Sequence, residues 1–139
     1  MKIIKLVIDT NVLYSGLYSS KGASYKILEL IYSGRIIPVI STSLIFEYEE
    51  VLKRNQSELN ITEYEIDKLL DNFCKIGEPH KIYFLWRPFL SDPKDDHVLE
   101  LAISSETNCI VTHNIRDFKG SEIFGVRIFT PRNLLENIQ

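Results

Sequence analysis

Positive charge, cysteine and long apolar runs are all scarce in this chain. Sixteen lysines and arginines stand against 19 acids, for a net charge of -3, which argues against a protein that coats nucleic acid through bulk basicity. It leaves open an enzyme whose site is itself acidic, because local lysines and arginines can still guide a phosphate backbone. The two cysteines, Cys74 and Cys109, have no metal-ligand spacing and lie within apolar patterns, so buried, reduced thiols are expected rather than a disulfide. No run approaches the roughly 20 apolar residues that span a bilayer. The short apolar stretch at the N-terminus is broken by Asp9 and lacks the cleavage site of a secretion signal. A cytoplasmic protein with no membrane partner is therefore expected. Repeats, low-complexity tracts and linkers are also missing, so residues 1–139 are expected to form one domain with its own core.

What is present is an alternation of short β-branched runs and helical periodicities. Residues 3–8, 36–40, 81–85, 109–112 and 126–129 read as five strands. Between them, Ala23, Ile27, Leu30 and Ile31 share one helical face, and Gly34 offers a stop. Leu44, Tyr48, Val51 and Leu52 mark a helix capped by the hydroxyls of residues 41–43. Thr62 and Glu65 have the spacing of a capping box, ahead of a stripe at Ile66, Leu69, Leu70 and Phe73 that Gly77 ends. Asp92-Pro93 opens a further helix with Val98, Leu99, Ala102 and Ile103 inward, and Thr130-Pro131 the last, with Leu134 and Leu135 inward. Such alternation predicts an α/β fold, a mostly parallel sheet of about five strands covered on both faces, with its site beyond the carboxyl ends of the strands.

Several acids and amides sit where such a fold would place a ligand. Asp9 follows the apolar run 3–8 directly, as either a helix cap or a site carboxylate. Asn11 beside it would cap the next turn or bind water at the site. Glu47 lies three residues after Leu44 and four before Val51, on the inward face, where a carboxylate is costly unless paired. Glu49 and Glu50 point elsewhere and read as solvated. Among Asp92, Asp95 and Asp96, helix-end chemistry accounts for the first two. Asp96, three residues before Leu99, falls at the margin of the buried face and is the expected third ligand. After Thr112, Asn114 and Asp117 are three apart, so a short helical turn puts them on one side; an Asx-turn is the plainer alternative. Phe118 reads as a packing plug. Carboxylates gathered together repel, and a fold that gathers them usually does so around a hard divalent cation. Oxygen ligands without histidine or cysteine spacing favour Mg²⁺ or Mn²⁺ over zinc. His97, about 100° round a helix from Asp96, is expected at the surface.

These segments together resemble the PIN-domain ribonucleases, a group that includes many toxins of toxin-antitoxin pairs. The resemblance is carried by Val7-Ile8-Asp9-Thr10-Asn11-Val12-Leu13, Ser43-Leu44-Ile45-Phe46-Glu47, Asp92-Pro93-Lys94-Asp95-Asp96-His97, Ile110-Val111-Thr112-His113-Asn114, Asp117-Phe118 and Phe129-Thr130-Pro131. It implies a three-layer α/β/α sandwich and endonucleolytic cleavage of RNA with Mg²⁺ or Mn²⁺, the acids being Asp9, Glu47 and Asp96. The family's fourth acid falls on Asn114, which leaves Asp117 as the natural substitute. A cognate antitoxin protein and a second copy of the chain are the protein partners it implies.

On this reading Asp9, Asp96 and Asp117 bind the metal, Glu47 ligates it or orients water, and Thr112 and Asn114 position ligands. Lys94, Arg116 and Lys119 are candidates to hold the RNA backbone. A receiver-like phosphoacceptor signalling domain is the competing reading, but it needs an Asp after the third strand and a lysine after the fifth, and neither is there. A PIN-type scaffold that binds RNA or a partner without cutting is the other, kept open by Asn114.

Overall fold

The computed structural model describes residues 2–82 and 87–138. Within them, five parallel strands form one sheet in the order β3-β2-β1-β4-β5: β1 Ile4–Ile8, β2 Ile36–Ile40, β3 Glu78–Pro79, β4 Cys109–Val111 and β5 Arg127–Phe129. In β1 the consecutive residues Leu6, Val7 and Ile8 are all fully buried. Neighbouring side chains on a strand point to opposite faces, so this strand is covered on both. Among the described residues, seven helices supply the cover: α1 Thr10–Tyr18, α2 Ala23–Tyr32, α3 Thr42–Arg54, α4 Gln56–Leu59, α5 Glu63–Ile76, α6 Asp96–Ser104 and α7 Pro131–Ile138. The result is the three-layer α/β/α sandwich expected from the alternation. Among the described residues, no helix is long and apolar enough to cross a membrane.

Local chemistry sets most boundaries. The capping box at α5 forms, with Glu65 Oε1 accepting from the Thr62 amide at 2.9 Å and Thr62 Oγ1 from the Glu65 amide at 3.1 Å. Gly34 takes φ +83° just past α2, a conformation that costs any side chain with a Cβ. Gly77 ends α5 for a different reason. A Cβ there would lie 2.5 Å from the Phe73 carbonyl oxygen and 2.9 Å from that of Pro38, so only glycine lets α5 run this close to β2.

The third strand departs from expectation. It spans Glu78–Pro79, where Val39 and Ile40 pair with it, and Lys81 and Ile82 continue as irregular chain. The remainder of the expected 81–85 strand lies outside the described residues. Helix α1, unmarked by any stripe in the sequence, fills the span between β1 and the turn at 19–22. The cysteines are free as expected, but Cys74 is exposed and Cys109 only half-buried.

Connectivity fixes where a ligand would sit. From β1 the chain moves outward through β2 to β3, then returns across the sheet to β4 and β5 on the other side of β1. The strand order therefore reverses between β1 and β4, and the crevice beyond their carboxyl ends is the topological switch point. Tyr48 of α3, fully buried, fastens this end by donating its hydroxyl to the Ile8 carbonyl, one residue before Asp9.

Candidate active site at the carboxyl ends of β1 and β4

Asp9 leaves β1 with its amide hydrogen-bonded to the Val111 carbonyl at 3.0 Å, which places it beside Thr112 at the end of β4. Its carboxylate is buried and held at both oxygens. Oδ1 accepts from the Thr10 amide at 2.9 Å, and Oδ2 accepts from Thr112 Oγ1 at 2.8 Å and Asn11 Nδ2 at 3.3 Å. Asn11 in turn accepts the His113 amide at 3.1 Å, and the Asn114 amide donates to Thr112 Oγ1 at 3.0 Å. Two loops, one from each side of the switch point, are laced together around a single carboxylate. Asp9 is thus both the cap of α1 and a site residue; the two roles use different lone pairs.

Glu47 faces Asp9 from α3. Its Oε2 accepts from Thr10 Oγ1, and His97 Nε2 lies 3.0 Å from its Oε1. His97 is accordingly no surface residue: its imidazole is largely buried between α6 and α3. Burial works to raise the Glu47 carboxyl, but the hydrogen bonds from His97 and Thr10 outweigh it and hold the group below the usual carboxylate range. Asp9 moves the other way. Burial and then the Glu47 charge push it up, against the hydrogen bonds from Thr112 and the Thr10 amide.

The third acid differs from expectation. Asp96 is buried at the start of α6, but its carboxylate turns away from the cleft to accept the Leu90 amide at 2.9 Å and the Phe89 amide at 3.3–3.4 Å. Inward projection was read correctly, and the partners the carboxylate meets are backbone amides. Asp95 lines the cleft in its place. The residues before α6, Pro93–Asp95, form a 3₁₀ turn, which turns each residue through about 120° instead of 100°, so a regular-helix reading from Asp92 misplaces Asp95. Asp92 does cap this turn, accepting the Lys94 amide at 3.0 Å, while Asp95 makes no capping bond. Burial raises the Asp95 carboxyl to about 7, helped by the charges of Asp9, Asp92, Asp117 and Glu47. That list of neighbours is the clearest sign that five acids from four parts of the chain converge here.

Asn114 and Asp117 both border the cleft, on the expected short turn, a 3₁₀ helix over Ile115–Phe118 with Phe118 buried beneath as the plug. The cleft encloses about 910 Å³. Lys94 and Arg54 are the cations on its wall, and Arg54 is paired with Glu50 at 3.0 Å. Glu50, read as merely solvated, also stands on this wall. Arg116 and Lys119 lie elsewhere, in a separate hollow against β5.

The sequence from residue 5 to residue 116 matches the model of the PIN domain. The chain belongs to the PIN domain family. No curated protein matches it. The PIN domain is a nuclease-type fold that typically uses divalent metal ions, and the acids of this chain suit one in kind: oxygen donors with excess negative charge, as hard cations require. Among the described residues, no three histidine, cysteine or acidic side chains already stand in a geometry that would hold an ion. The cleft of this PIN domain is a ring of acids around a space, with Glu47 engaged by Thr10 and His97 and Asp9 by Thr112.

Two members of this site were beyond sequence reasoning. Nothing in the spacing marks Thr10 as a partner of Glu47. His97 had a weak signal, namely its place next to two acids at a helix start.

Proposed function

We propose that this PIN domain is a Mg²⁺- or Mn²⁺-dependent endoribonuclease. The observation that carries the reading is the convergence of Asp9, Glu47, Asp95 and Asp117 on one cleft at the switch point, with too few cations on its wall to neutralise them. Carboxylates so placed repel one another, and the arrangement is stable in use only with positive charge among them.

Asp9, Asp95 and Asp117 are the residues that would hold the ion, with the Asn114 amide oxygen beside them. Bound there, a divalent cation would polarise the phosphodiester and make water acidic enough to attack it at neutral pH. The protein's own contribution is positional. Thr112 and the Thr10 amide fix the Asp9 carboxylate in one orientation, as outer partners of metal ligands commonly do. His97 and Thr10 keep Glu47 ionised, so it can accept a proton from water or a hydrogen bond from substrate. Lys94 is the cation on the wall suited to a backbone phosphate.

The test is cleavage of a labelled single-stranded RNA in Mg²⁺ or Mn²⁺ by the wild type, Asp9→Asn, Asp95→Asn and Asp96→Asn. Metal-dependent cutting that disappears in the first two variants and survives in the third supports this reading and this choice of acids. Wild-type protein that binds RNA without cutting it would favour a scaffold, for which the neutral Asn114 is the specific argument. The toxin role is a separate proposal, carried by resemblance alone; a small antitoxin-like gene adjoining this one, and a stable complex of the two products, would support it.

A further inference from the structure

Phe46 is 64% exposed on α3, one residue before Glu47. Single exposed apolar side chains are ordinary, but Phe46 stands as a partition. On one side it lines the acidic cleft; on the other it lines a neighbouring hollow of about 420 Å³. The lining of that hollow is largely apolar, with Ile40, Ile45, Cys74 and Pro79, and it also includes the polar residues Ser41, Thr42, His80 and Lys81. A molecule whose phosphodiester lies in the cleft would reach over Phe46 directly into this space.

We propose that the hollow, walled by Phe46, is the subsite for one unpaired base of the nucleic acid whose backbone is cut in the cleft. The inference rests on the nuclease reading and narrows it to single-stranded substrate. A flat base has a π face that stacks on an aromatic ring whatever its sequence, and an apolar lining suits the rest of the ring. Thr42 and Lys81 in the lining supply polar groups for base edges or the adjoining phosphate. A base in a duplex is already stacked and paired, so it cannot enter without being flipped out. Tyr48 and Phe118, the other aromatic side chains beside site acids in sequence, are buried and cannot serve.

The experiment uses Asp9→Asn protein in Mg²⁺, so that RNA is bound and not cut. Binding of a fluorescein-labelled single-stranded octaribonucleotide is followed by anisotropy, with an abasic site moved along the RNA. One position is expected at which loss of the base weakens binding roughly tenfold, the size of one stacking contact. Adding Phe46→Ala should weaken the intact RNA by about the same factor and abolish sensitivity to that abasic site; Phe46→Leu, which keeps apolar bulk but no π face, should fall between. Duplex RNA should bind more weakly and ignore Phe46. The proposal is overturned if Phe46→Ala binds intact RNA as tightly as its parent, or if the abasic penalty is the same with and without Phe46. Cutting by wild type with no dependence on Phe46 sinks the subsite alone. Base-dependent binding without cutting by wild type sinks the nuclease and leaves the subsite standing.

Discussion

Two clusters of acids in this molecule make an instructive pair. On the outer surface, Glu49, Glu63 and Asp67 surround Lys53 at 3.0, 3.4 and 3.2 Å, joining α3 to α5. At the switch point, Asp9, Glu47, Asp92, Asp95 and Asp117 meet, and the lysine on their wall, Lys94, is one cation against five acids. Lys53 answers the repulsion in the first cluster, and its own pKa rises accordingly, chiefly through Glu49 and Asp67. In the second cluster His97 answers for Glu47 alone, and at Asp95 burial and repulsion drive the carboxyl to about 7. Acid count does not separate a structural cluster from a reactive one. What separates them is whether the protein supplies the counter-charge.

The sharpest way to break this comparison is to remove one charge from each cluster. Asp9→Asn and Asp95→Asn should each lower the metal-dependent cleavage rate by roughly a thousandfold, since a mispositioned or absent cation forfeits several kcal/mol of charge stabilisation. Asp67→Asn should leave the rate unchanged. Equal losses in both clusters, measured as kcat on the same RNA, would mean that fold disturbance rather than chemistry lies behind them.

A second contrast lies between adjacent residues. Asp95 faces the cleft, whereas Asp96 is spent on the amides of Phe89 and Leu90. Asp96→Ala leaves the buried Leu90 amide without its partner and should cost about 2 kcal/mol of stability. Asp95→Ala should cost far less and could even stabilise the metal-free protein. Urea denaturation of both variants in EDTA gives the comparison, and the opposite ranking would exchange their roles.

This pair also marks how far the sequence could be read. Alternation of apolar runs made the parallel sheet legible, and Asp9 and Glu47 were legible because each breaks an apolar pattern at a strand end or on an inward face. Asp95 was passed over because Asp92-Pro93-Lys94-Asp95 reads equally well as a regular helix start, and the 3₁₀ turn sets its third residue at the cleft instead. Asp96 was read as inward from its spacing to Leu99, and it is buried, but that spacing does not reveal the amides of Phe89 and Leu90 that meet it. The short β3 at Glu78–Pro79 went unread because two residues carry no periodicity, and the expected strand at 81–85 lies partly outside the described residues. Helix α1 has no polar face to reveal it: Thr10, Val12, Leu13 and Gly16 are buried and Tyr14 and Leu17 half-buried.

Proton linkage sharpens the comparison further, because only the cleft cluster should show it between pH 5 and 8. Asp95 is raised from an ordinary 3.8 to about 7. The folded state therefore holds this proton more tightly than the unfolded one. The stabilisation is complete below about pH 3.8 and is lost as pH rises through 7. Asp9, also raised, acts in the same direction. Glu47, lowered, contributes above its unfolded pKa and is lost only in acid below this window. His113, lowered by burial, works against the trend near neutrality, so the useful quantity is the wild type minus Asp95→Asn, in which His113 cancels. That difference should shift against the wild type by about 1 kcal/mol from pH 5 to pH 8 in EDTA, solvent screening at this partly exposed group having been allowed for. Mn²⁺ at pH 8 should reverse it. A flat difference would mean that Asp95 is not held near neutrality by its neighbours.

The smallest effect expected is at the outer cluster itself. Lys53→Gln removes the cation from Glu49, Glu63 and Asp67, leaving three solvated carboxylates free to turn apart. Exposed pairs contribute little and are screened by salt. The melting temperature should fall slightly in dilute buffer and match wild type in 0.5 M NaCl, with cleavage unaffected in both. The cleft acids cannot separate in this way, since Asp9 is fastened at both oxygens and Glu47 is bridged to Thr10 and His97. Added salt should therefore relieve the Lys53 variant while leaving the cleft's demand for a divalent ion intact. A Lys53→Gln protein that also lost its metal response would show that α3 transmits strain from the outer cluster to Glu47, and the two clusters would have to be treated as one.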